Sequence, residues 1–336
     1  MRGWFKMSKI VVTGGAGFIG SHIAENFAIN GHEIVIVDNL DPYYSIELKK
    51  RNVNIVLNSG DATFIQADVR DLRKMKEIID GTVDYVYHEA AQAGVRISVD
   101  DPFKPNDVNV LGTLNVLRAS LEADVKKVVN ASSSSVYGKV KYLPFDELHP
   151  SEPVSPYGVS KLAAEHYCRV FYEIYGLPTT SLRYFTVYGP RMRPDLAISI
   201  FTRKMLNNEP ITVFGDGEQT RDFTYIEDVV EANKRLLNNK ATDGKVLNIG
   251  SANRISVNDL IENLRSITGS TSDVINSGKQ KGDAENTLAD VDFGNELIGY
   301  TPLFDIEKGL NKFVDWFRIE RDLGTKKEEM IILPCA

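Results

Sequence analysis

The sequence predicts an α/β protein in which helices cover both faces of a doubly wound parallel sheet, with a smaller α/β domain beside it. Three observations support that prediction. Short β-branched runs such as Ile34–Val37 are continuously apolar, as strands buried on both faces are. These runs alternate with helical segments of roughly 10–20 residues, which is typical of βαβ units with right-handed crossovers. After about Tyr188 the alternation stops.

The elements of the main sheet follow in chain order. The predicted strands are Lys9–Thr13, Glu33–Val37, Thr63–Gln66, Tyr85–Tyr87, Lys127–Asn130 and Thr180–Arg183. The helices predicted between them are Phe18–Asn30, Leu72–Ile79, Asn109–Ala123 and Pro156–Tyr175. The first helix repeats apolar residues at Ile19, Ile23 and Phe27 and stops at Gly31. The last one follows Ser155, which suits an N-cap, and has proline at its first position.

The change of rhythm predicts a second domain. Pro190, Pro194 and Pro210 interrupt the chain, and a turn at Gly215–Gly217 follows. We expect residues 1–187 with about 224–250 to form the main domain, and about 188–223 with 251–324 to form the smaller one. Residues 325–336 are charged and then apolar, and we expect them to be a terminal extension.

The composition argues against several classes of protein. The chain of 336 residues has 39 basic and 46 acidic residues, and the net charge of −7 argues against a nucleic-acid partner. No run approaches the about 18 apolar residues of a membrane span, so we expect no transmembrane helix. No apolar segment with a cleavage site precedes the first strand, so we expect no signal peptide. Two cysteines, Cys168 and Cys335, favour a reducing, cytoplasmic location. The five histidines lack metal-ligand spacing, so we expect no metal site.

A glycine triplet follows the first strand. Gly14, Gly17 and Gly20 open the first helix, and Asp38 ends the next strand. Glycines in this order allow a tight turn and bring the pyrophosphate of a dinucleotide to the helix N-terminus, which is the Rossmann-type arrangement. Asp38 would accept hydrogen bonds from the adenosine ribose and repel a 2′-phosphate, which favours NAD over NADP. The alternative is a turn followed by a capping aspartate. The dipeptide Asp68–Val69 could flank the adenine or form a loop.

A tyrosine and a lysine lie one turn apart on the predicted helix Pro156–Tyr175. Free tyrosine has a pKa of about 10 and is a poor base at neutral pH. A nearby ammonium group and a positively charged nicotinamide would both favour the phenolate of Tyr157, and Lys161 supplies the ammonium group. The run Ser132–Ser135 follows the strand Lys127–Asn130, at the edge where a parallel sheet contacts ligands. Taken alone, the pair also fits an ordinary helix, and the serines fit a polar loop.

Several further segments occur with these in a fixed order. The segments are Thr13–Gly20, Asp38–Leu40, His88–Ala91, Ser132–Gly138, Tyr157 with Lys161, Arg183–Pro190, Gly215–Gly217, Arg221–Ile226 and Asp228–Val229. In this combination the chain resembles the extended short-chain dehydrogenase/reductase family, and within it the nucleotide-sugar epimerases. The resemblance runs from about Lys9 to Phe317, nearly the whole chain. It implies a Rossmann-type sheet that binds NAD and a smaller α/β substrate-binding domain.

The resemblance also implies roles for individual residues. Tyr157 would take the proton from the sugar O4, Lys161 would bind the nicotinamide ribose and lower the tyrosine pKa, and Ser133 would hydrogen-bond O4. Hydride would pass from C4 to NAD and return to the other face of a bound 4-keto sugar. Arg221 and Asp283 would hold the UDP moiety. The further residues implied to contact NAD are Gly14, Gly17, Phe18, Ile19, Gly20, Asp38, Asn39, Asp68, Val69, Ala90, Ala91, Asn109 and Tyr184.

Local residues distinguish the branches of that family. Ser134 and Ser135 stand where 4,6-dehydratases carry an acid pair, and UDP-glucuronate decarboxylases usually carry glutamate at the second of these positions. Thr186 stands where UDP-glucose and UDP-N-acetylglucosamine 4-epimerases usually have asparagine. The segments that closely resemble UDP-glucuronate 4-epimerases are Asp38–Tyr44, Gln92–Arg96 and Thr186–Asp195.

The implied reaction is therefore the 4-epimerisation of UDP-glucuronate to UDP-galacturonate. A C6 carboxylate in a dry pocket needs hydrogen-bond donors or a cation, which Arg193 and the hydroxyls of Thr186, Ser134 and Ser135 would supply. Arg96 is assigned to the substrate by the same resemblance. The alternatives that stay open are a UDP-glucose or UDP-N-acetylglucosamine 4-epimerase, a UDP-glucuronate decarboxylase and a non-enzymatic NAD-binding protein.

Relatives of this kind often dimerise through two helices. The equivalent segments here are Asn109–Ala123 and Pro156–Tyr175. The resemblance thus implies a homodimer held by a four-helix bundle.

Overall fold

The computed structural model describes residues 7–278 and 286–324. The strands are β1 Lys9–Thr13, β2 Glu33–Asp38, β3 Ala62–Gln66, β4 Tyr85–His88, β5 Lys127–Ser133, β6 Thr179–Tyr184, β7 Thr186–Tyr188, β8 Ile211–Phe214, β9 Thr220–Arg221, β10 Phe223–Tyr225, β11 Lys245–Ile249, β12 Ile255–Ser256 and β13 Val274–Ser277. The helices are α1 Phe18–Ile29, α2 Ile46–Leu57, α3 Leu72–Ile78, α4 Val95–Asp100, α5 Phe103–Pro105, α6 Gly112–Glu122, α7 Pro156–Tyr175, α8 Ala197–Leu206, α9 Ile226–Lys234, α10 Val257–Thr268, α11 Asp292–Ile298 and α12 Ile306–Gly324.

Within these described residues, seven parallel strands form the main sheet in the order β11-β6-β5-β4-β1-β2-β3. Strand β1 lies in the middle, where Ile10 pairs with Ile34 of β2 and Val12 pairs with Tyr87 of β4. The chain adds strands on one side of β1 as far as β3 and on the other side from β4 onwards. The order reverses between β1 and β4, and this switch point is where a doubly wound sheet opens a crevice at the carboxyl ends of its strands. The predicted fold class is confirmed.

Successive residues of β1 pack into two different apolar layers. Ile10 and Val12 belong to the cluster that includes Phe27 of α1, whereas Val11 belongs to the cluster that includes Leu117 of α6. Because helices cover both faces, a strand of this sheet has no polar side to present to water. This is the physical reason why the strand sequences are continuous apolar runs.

The smaller part of the molecule contains short strand pairs and packed helices. Strand β8 pairs with β13, β9 pairs with β12, and α10 packs against both α8 and α12. Strands β7 and β10 pair with each other outside the main sheet. After them, α9 packs on α1 and β11 becomes the edge strand of the main sheet. The domain bounds stay a prediction.

Three other local differences from the predicted elements occur. Helix α2 was not predicted, because its segment is mostly polar and buries only a few side chains, although Ser45 Oγ caps it by accepting from Leu48 N at 3.4 Å. Strand β5 continues to Ser133, three residues beyond its predicted end. The helix expected from Asn109 begins earlier, as a π-helical turn at Asn106–Leu111. In the described part of the chain, no helix is long and apolar enough to cross a membrane.

Candidate active site

A cavity of about 380 Å³ lies at the carboxyl ends of the main-sheet strands, around the switch point. Most residues that the sequence analysis assigned to cofactor or substrate line it. They are Gly14, Gly17, Phe18, Ile19, Gly20, Asp38, Asn39, Asp68, Val69, Ala90, Ala91, Ser133, Ser134, Ser135, Tyr157, Lys161, Tyr184, Thr186 and Arg193. The fold therefore brings together, around one cavity, residues that are widely separated along the chain.

The glycine turn between β1 and α1 leaves no room for side chains. Gly14 has a φ of +69°, and a Cβ there would lie 2.6 Å from the Ala90 nitrogen, so the turn packs directly on the segment that follows β4. Gly17 is the N-cap of α1 and provides no side-chain acceptor for the first helical turn. Amide groups at a helix N-terminus are the donors that a pyrophosphate uses. The residues present at this turn therefore fit a dinucleotide.

Asp38 is held at the cavity wall by backbone hydrogen bonds. Its two carboxylate oxygens accept from Ala16 N at 3.2 Å and from Leu40 N at 2.8 Å. Burial raises the pKa of Asp38, and the positive charge of Lys49 acts in the opposite direction. These bonds fix the carboxylate where it can accept further hydrogen bonds from a sugar hydroxyl.

Asp68 is a second fixed carboxylate of the cavity wall. It accepts a hydrogen bond from Asn39 Nδ2 at 2.9 Å and pairs with Arg70 at 2.7 Å. The hydrogen bonds from Arg70 lower the pKa of Asp68 to about 2. The side chain is therefore ionised at all physiological pH values, and it orients Asn39 beside the same cavity.

Helix α7 carries Tyr157 and Lys161 into the cavity. The helix begins where the sequence predicts, because Ser155 Oγ accepts from Gly158 N at 3.1 Å and Pro156 needs no amide partner. One turn later, Lys161 Nζ donates to the carbonyl oxygen of Ala131 in β5 at 2.7 Å. This bond ties the helix to the strand that delivers the serine run.

The environment shifts the pKa values of both groups. Burial raises the pKa of Tyr157, while a hydrogen bond with Ser133 and the charge of Arg193 act in the opposite direction. Burial lowers the pKa of Lys161 to about 8, and the negative charge of Glu89 opposes this effect. Arg193 is therefore a cation whose charge favours the phenolate.

Arg193 carries an ion pair that the sequence analysis missed. Its Nε and Nη2 donate to the two carboxylate oxygens of Asp195, each at 3.0 Å, and its guanidinium lies 5.3 Å from the centre of the Tyr43 ring. Tyr43 Oη also donates to Asp195, at 3.0 Å. A guanidinium has five N–H donors, so this pair leaves donors for a second acceptor. The only signal in the sequence was the short separation of the two residues, with Pro194 between them.

Glu89 is another cavity residue to which the sequence analysis assigned no role. It accepts a hydrogen bond from Tyr184 Oη at 3.1 Å. Its position in the sequence could have identified it, because Glu89 is an ionisable residue directly after the buried strand β4, between His88 and Ala90.

Asn109 does not line the cavity but holds a residue that does. Its side chain accepts from Gln92 N at 2.8 Å and donates to Gln92 O at 3.1 Å and Ser160 Oγ at 2.9 Å. Gln92 lies on the cavity wall. Asn109 would therefore act on a ligand in this cavity only through Gln92, which lies between them.

Two further residues assigned to the substrate, Arg96 and Arg221, do not line the main cavity. Arg96 lies over the Phe214 ring, 4.8 Å from its centre. Arg221 lines a second cavity of about 270 Å³. Asp283 is outside the described residues. Among residues 7–278 and 286–324, no group of three histidine, cysteine, aspartate or glutamate side chains could hold a metal ion.

The fold and the cavity define a nucleotide-binding enzyme of the short-chain dehydrogenase/reductase type. The chain belongs to the NAD dependent epimerase/dehydratase family, whose model matches residues 10–250. NAD is accordingly the cofactor, and the glycine turn with Asp38 is the part of the structure that fits it.

Three solved structures share this fold over nearly the whole chain. The UDP-glucuronic acid 4-epimerase of Bacillus cereus, in complex with UDP-glucuronic acid and NAD, is 36% identical with a TM-score of 0.87, covering 93% of this chain and 99% of that chain. The UDP-glucose 4-epimerase of Thermotoga maritima, with UDP-glucose, is 37% identical with a TM-score of 0.86 and the same coverage. The UDP-N-acetylglucosamine 4-epimerase of Methanobrevibacter ruminantium is 34% identical with a TM-score of 0.86, covering 94% and 100%. The chain is thus similar to UDP-sugar 4-epimerases that act on different sugars.

Proposed function

We propose that this protein converts UDP-glucuronate to UDP-galacturonate by 4-epimerisation through a bound 4-keto sugar. One observation carries the choice of sugar: Arg193, Thr186 and the serine run Ser133–Ser135 line the same cavity as Tyr157. A cation and several hydroxyl donors beside the proposed base are what a C6 carboxylate needs once it has left water. The similarity to the Bacillus cereus enzyme supports the same sugar.

In the proposed reaction, residues of the chain hold the sugar and move one proton. Tyr157, as the phenolate, takes the proton from O4, and Ser133 hydrogen-bonds that oxygen. Lys161 binds a ribose hydroxyl and adds positive charge that favours the phenolate. NAD, when bound, supplies the chemistry of accepting hydride from C4 and returning it. After the ketone has turned within the cavity, Tyr157 gives the proton back to O4 on the opposite face, so no net oxidation occurs.

The carboxylate contacts have a second purpose in this proposal. A 4-keto uronate is a β-keto acid, which loses CO₂ when its carboxylate turns out of the plane of the ring. Arg193 and the hydroxyls of Ser134, Ser135 and Thr186 would hold the carboxylate while the ketone exists. An epimerase that clamps its substrate in this way releases a hexuronate and no pentose.

A second candidate is the epimerisation of UDP-glucose or UDP-N-acetylglucosamine. The ion pair between Arg193 and Asp195 favours it, because the guanidinium charge is already balanced and a neutral C6 hydroxymethyl group would not leave it unpaired. The similarity to the Thermotoga maritima and Methanobrevibacter ruminantium enzymes points to the same candidate.

The proposal extends to the rest of the molecule. NAD would occupy the domain of residues 1–187 and about 224–250, and the UDP moiety would contact the smaller domain through Arg221 and Asp283. A homodimer would form through the helical segments Asn109–Ala123 and Pro156–Tyr175. Large apolar side chains on these segments are exposed, among them Leu111, Val159 and Ile174.

The experiment that tests the proposal is an NMR assay with single substrates. Purified protein receives UDP-glucuronate, UDP-glucose or UDP-N-acetylglucosamine without added NAD, and the products are identified by their anomeric signals. We expect UDP-galacturonate from the first sugar and much slower turnover of the other two. Exclusive turnover of a neutral sugar would contradict the assignment of glucuronate, and release of a pentose would contradict the proposed clamp.

The role of the base is tested separately with a matched pair on α7. Tyr157→Phe should abolish turnover, because it removes the hydroxyl that is proposed to take the O4 proton. Tyr167→Phe removes a phenol from an exposed position of the same helix, 37% accessible, and should leave turnover unchanged. Undiminished epimerisation by Tyr157→Phe would refute the mechanism.

A further inference from the structure

A carboxyl group that the proposed mechanism does not use lies in the main cavity. Glu89 directly follows β4, and its backbone N–H donates to the carbonyl oxygen of Thr13 at 3.0 Å. A Cβ at Gly14 would lie 2.8 Å from the Glu89 carbonyl carbon. The glycine turn itself therefore fixes the backbone of this residue. Its side chain lines the cavity together with Tyr157 and Lys161.

Hydrogen bonds hold the carboxyl group in place. Tyr184 Oη donates to Glu89 Oε1 at 3.1 Å and accepts from Asn233 Nδ2 at 2.9 Å. Asn233 Nδ2 also donates to the carbonyl oxygen of Val229, one turn earlier in α9, at 2.9 Å. Because the phenol oxygen receives a hydrogen from asparagine, its own hydrogen is directed at the acceptors Glu89 and Asn233 Oδ1, the latter at 3.3 Å. The hydrogen bond from Tyr184 lowers the pKa of Glu89, because an ionised carboxylate is the stronger acceptor.

The titratable groups that face Glu89 come from each element packed around it. They are Lys161 and Tyr157 of α7, Tyr184 of β6 and Tyr87 of β4. Burial raises the pKa of Glu89 to about 7, while the hydrogen bond from Tyr184 and the charge of Lys161 act in the opposite direction. The charge of this group therefore changes near neutral pH, and a cation that binds nearby favours the ionised form.

We propose that Glu89 supplies the counter-charge of the oxidised nicotinamide ring and takes up a proton from water when that ring is reduced. In the reaction, two electrons and a hydrogen nucleus pass from sugar C4 to the ring, the sugar becomes a ketone, and the O4 proton goes to Tyr157. The ring thereby loses its positive charge. A carboxylate beside it stabilises the oxidised form, and linkage then requires that reduction favours the protonated carboxyl. Glu89 keeps the resting cofactor oxidised and ready for the next sugar.

The inference rests on the proposed function only in placing the reactive ring beside Tyr157 and Lys161. Its test contains no sugar, so an incorrect choice of substrate leaves the result unchanged. The proposed substrate and the proposed role of Glu89 are therefore tested by different experiments.

The test compares how the full-length protein binds the two redox forms of NAD. The parent and Glu89→Gln are incubated with an excess of an equimolar mixture of NAD⁺ and NADH, at values from about pH 5.5 to 8.5, until the bound ratio is constant. After rapid desalting, the bound ratio is measured from the absorbance of the reduced ring against that of adenine. Glutamine keeps an acceptor for Tyr184, so the substitution removes the charge and preserves the hydrogen bond.

At about pH 8 the variant should hold about tenfold more reduced relative to oxidised cofactor than the parent, which corresponds to about 30 mV for a two-electron couple. The difference should disappear toward pH 5.5, because the parent is then protonated as well. Glu89→Leu should show the same shift, and Glu33→Gln, which removes a carboxylate from an exposed position of β2, should show none. Equal ratios in parent and Glu89→Gln at pH 8, a shift that does not depend on pH, or a shift in Glu89→Leu alone would overturn the proposal.

Discussion

Replacing Arg193 by methionine should separate a uronate from a neutral sugar. The guanidinium makes two hydrogen bonds of 3.0 Å to Asp195, and its side chain is only 16% exposed. Methionine keeps most of the apolar stem and removes the charge. A charge-assisted hydrogen bond contributes about 1.5–3 kcal/mol, and the substrate carboxylate would also face an unpaired Asp195. We therefore expect a loss of about 3 kcal/mol in binding the reacting uronate, which is more than about 100-fold in kcat/KM.

The assay measures kcat/KM of the same preparation for UDP-glucuronate and for UDP-glucose. The neutral sugar should lose much less, since it makes no ion pair with the guanidinium and is affected only through the charge that Arg193 contributes beside Tyr157. The double variant Arg193→Met/Asp195→Asn is the control for the unpaired carboxylate. Its kcat/KM for UDP-glucuronate should be about tenfold higher than that of Arg193→Met. Equal losses for the two sugars would refute the role of Arg193 at the carboxylate.

Three other changes have expected results. Arg183→Met leaves the buried carboxylate of Glu165 without its ion-pair partner, so the free energy of unfolding in urea should fall by about 3–5 kcal/mol. Lys161→Met should abolish turnover and also change stability, because burial lowers the pKa of the lysine to about 8. The unfolded chain binds this proton up to its ordinary pKa of about 10.4, so thermal melts of the parent should gain stability relative to the variant as pH rises from about 8 to 10. Val159→Glu should yield a monomer in light scattering, because it places a charge on the proposed dimer face at a residue 55% exposed, whereas Ile319→Glu on α12, 59% exposed, should not.

The main-sheet elements were predictable because local and global preferences agree in them. The strand Lys9–Thr13 and the helix Pro156–Tyr175 have the predicted bounds. The first has a β-branched apolar run, Ile10–Val12, at its centre, and the second has both a capping serine and a proline at its start. Strand β10 was not among the predicted elements, because Phe223–Tyr225 is only three residues long and no pattern marks it as a strand. Its partner, β7, is fixed by tertiary pairing alone.

The residues of the candidate site also include some that the sequence predicts and others that it does not. The glycine turn and the Tyr157–Lys161 pair were predictable because each depends on spacing within a short segment. The bonds of Tyr43 to Asp195 and of Tyr184 to Glu89 join residues 152 and 95 positions apart. No periodicity or motif encodes such distances, so the partners of the site's charges became visible only in the folded structure.

The charges of the main cavity show how an acidic protein can bind anions. Among the described residues that line it, the cations are Lys49, Lys161 and Arg193, and the acids are Asp38, Asp41, Asp68 and Glu89. The lining is therefore not positive, and its cations already interact with protein groups, as Lys49 does through its 2.7 Å bond to the carbonyl oxygen of Asp41. Attraction for a pyrophosphate must then come mainly from amide groups at the N-terminus of α1, which act at short range and carry no net charge. The net charge of −7 consequently says little about the ligands, because the donors that hold them do not enter that count.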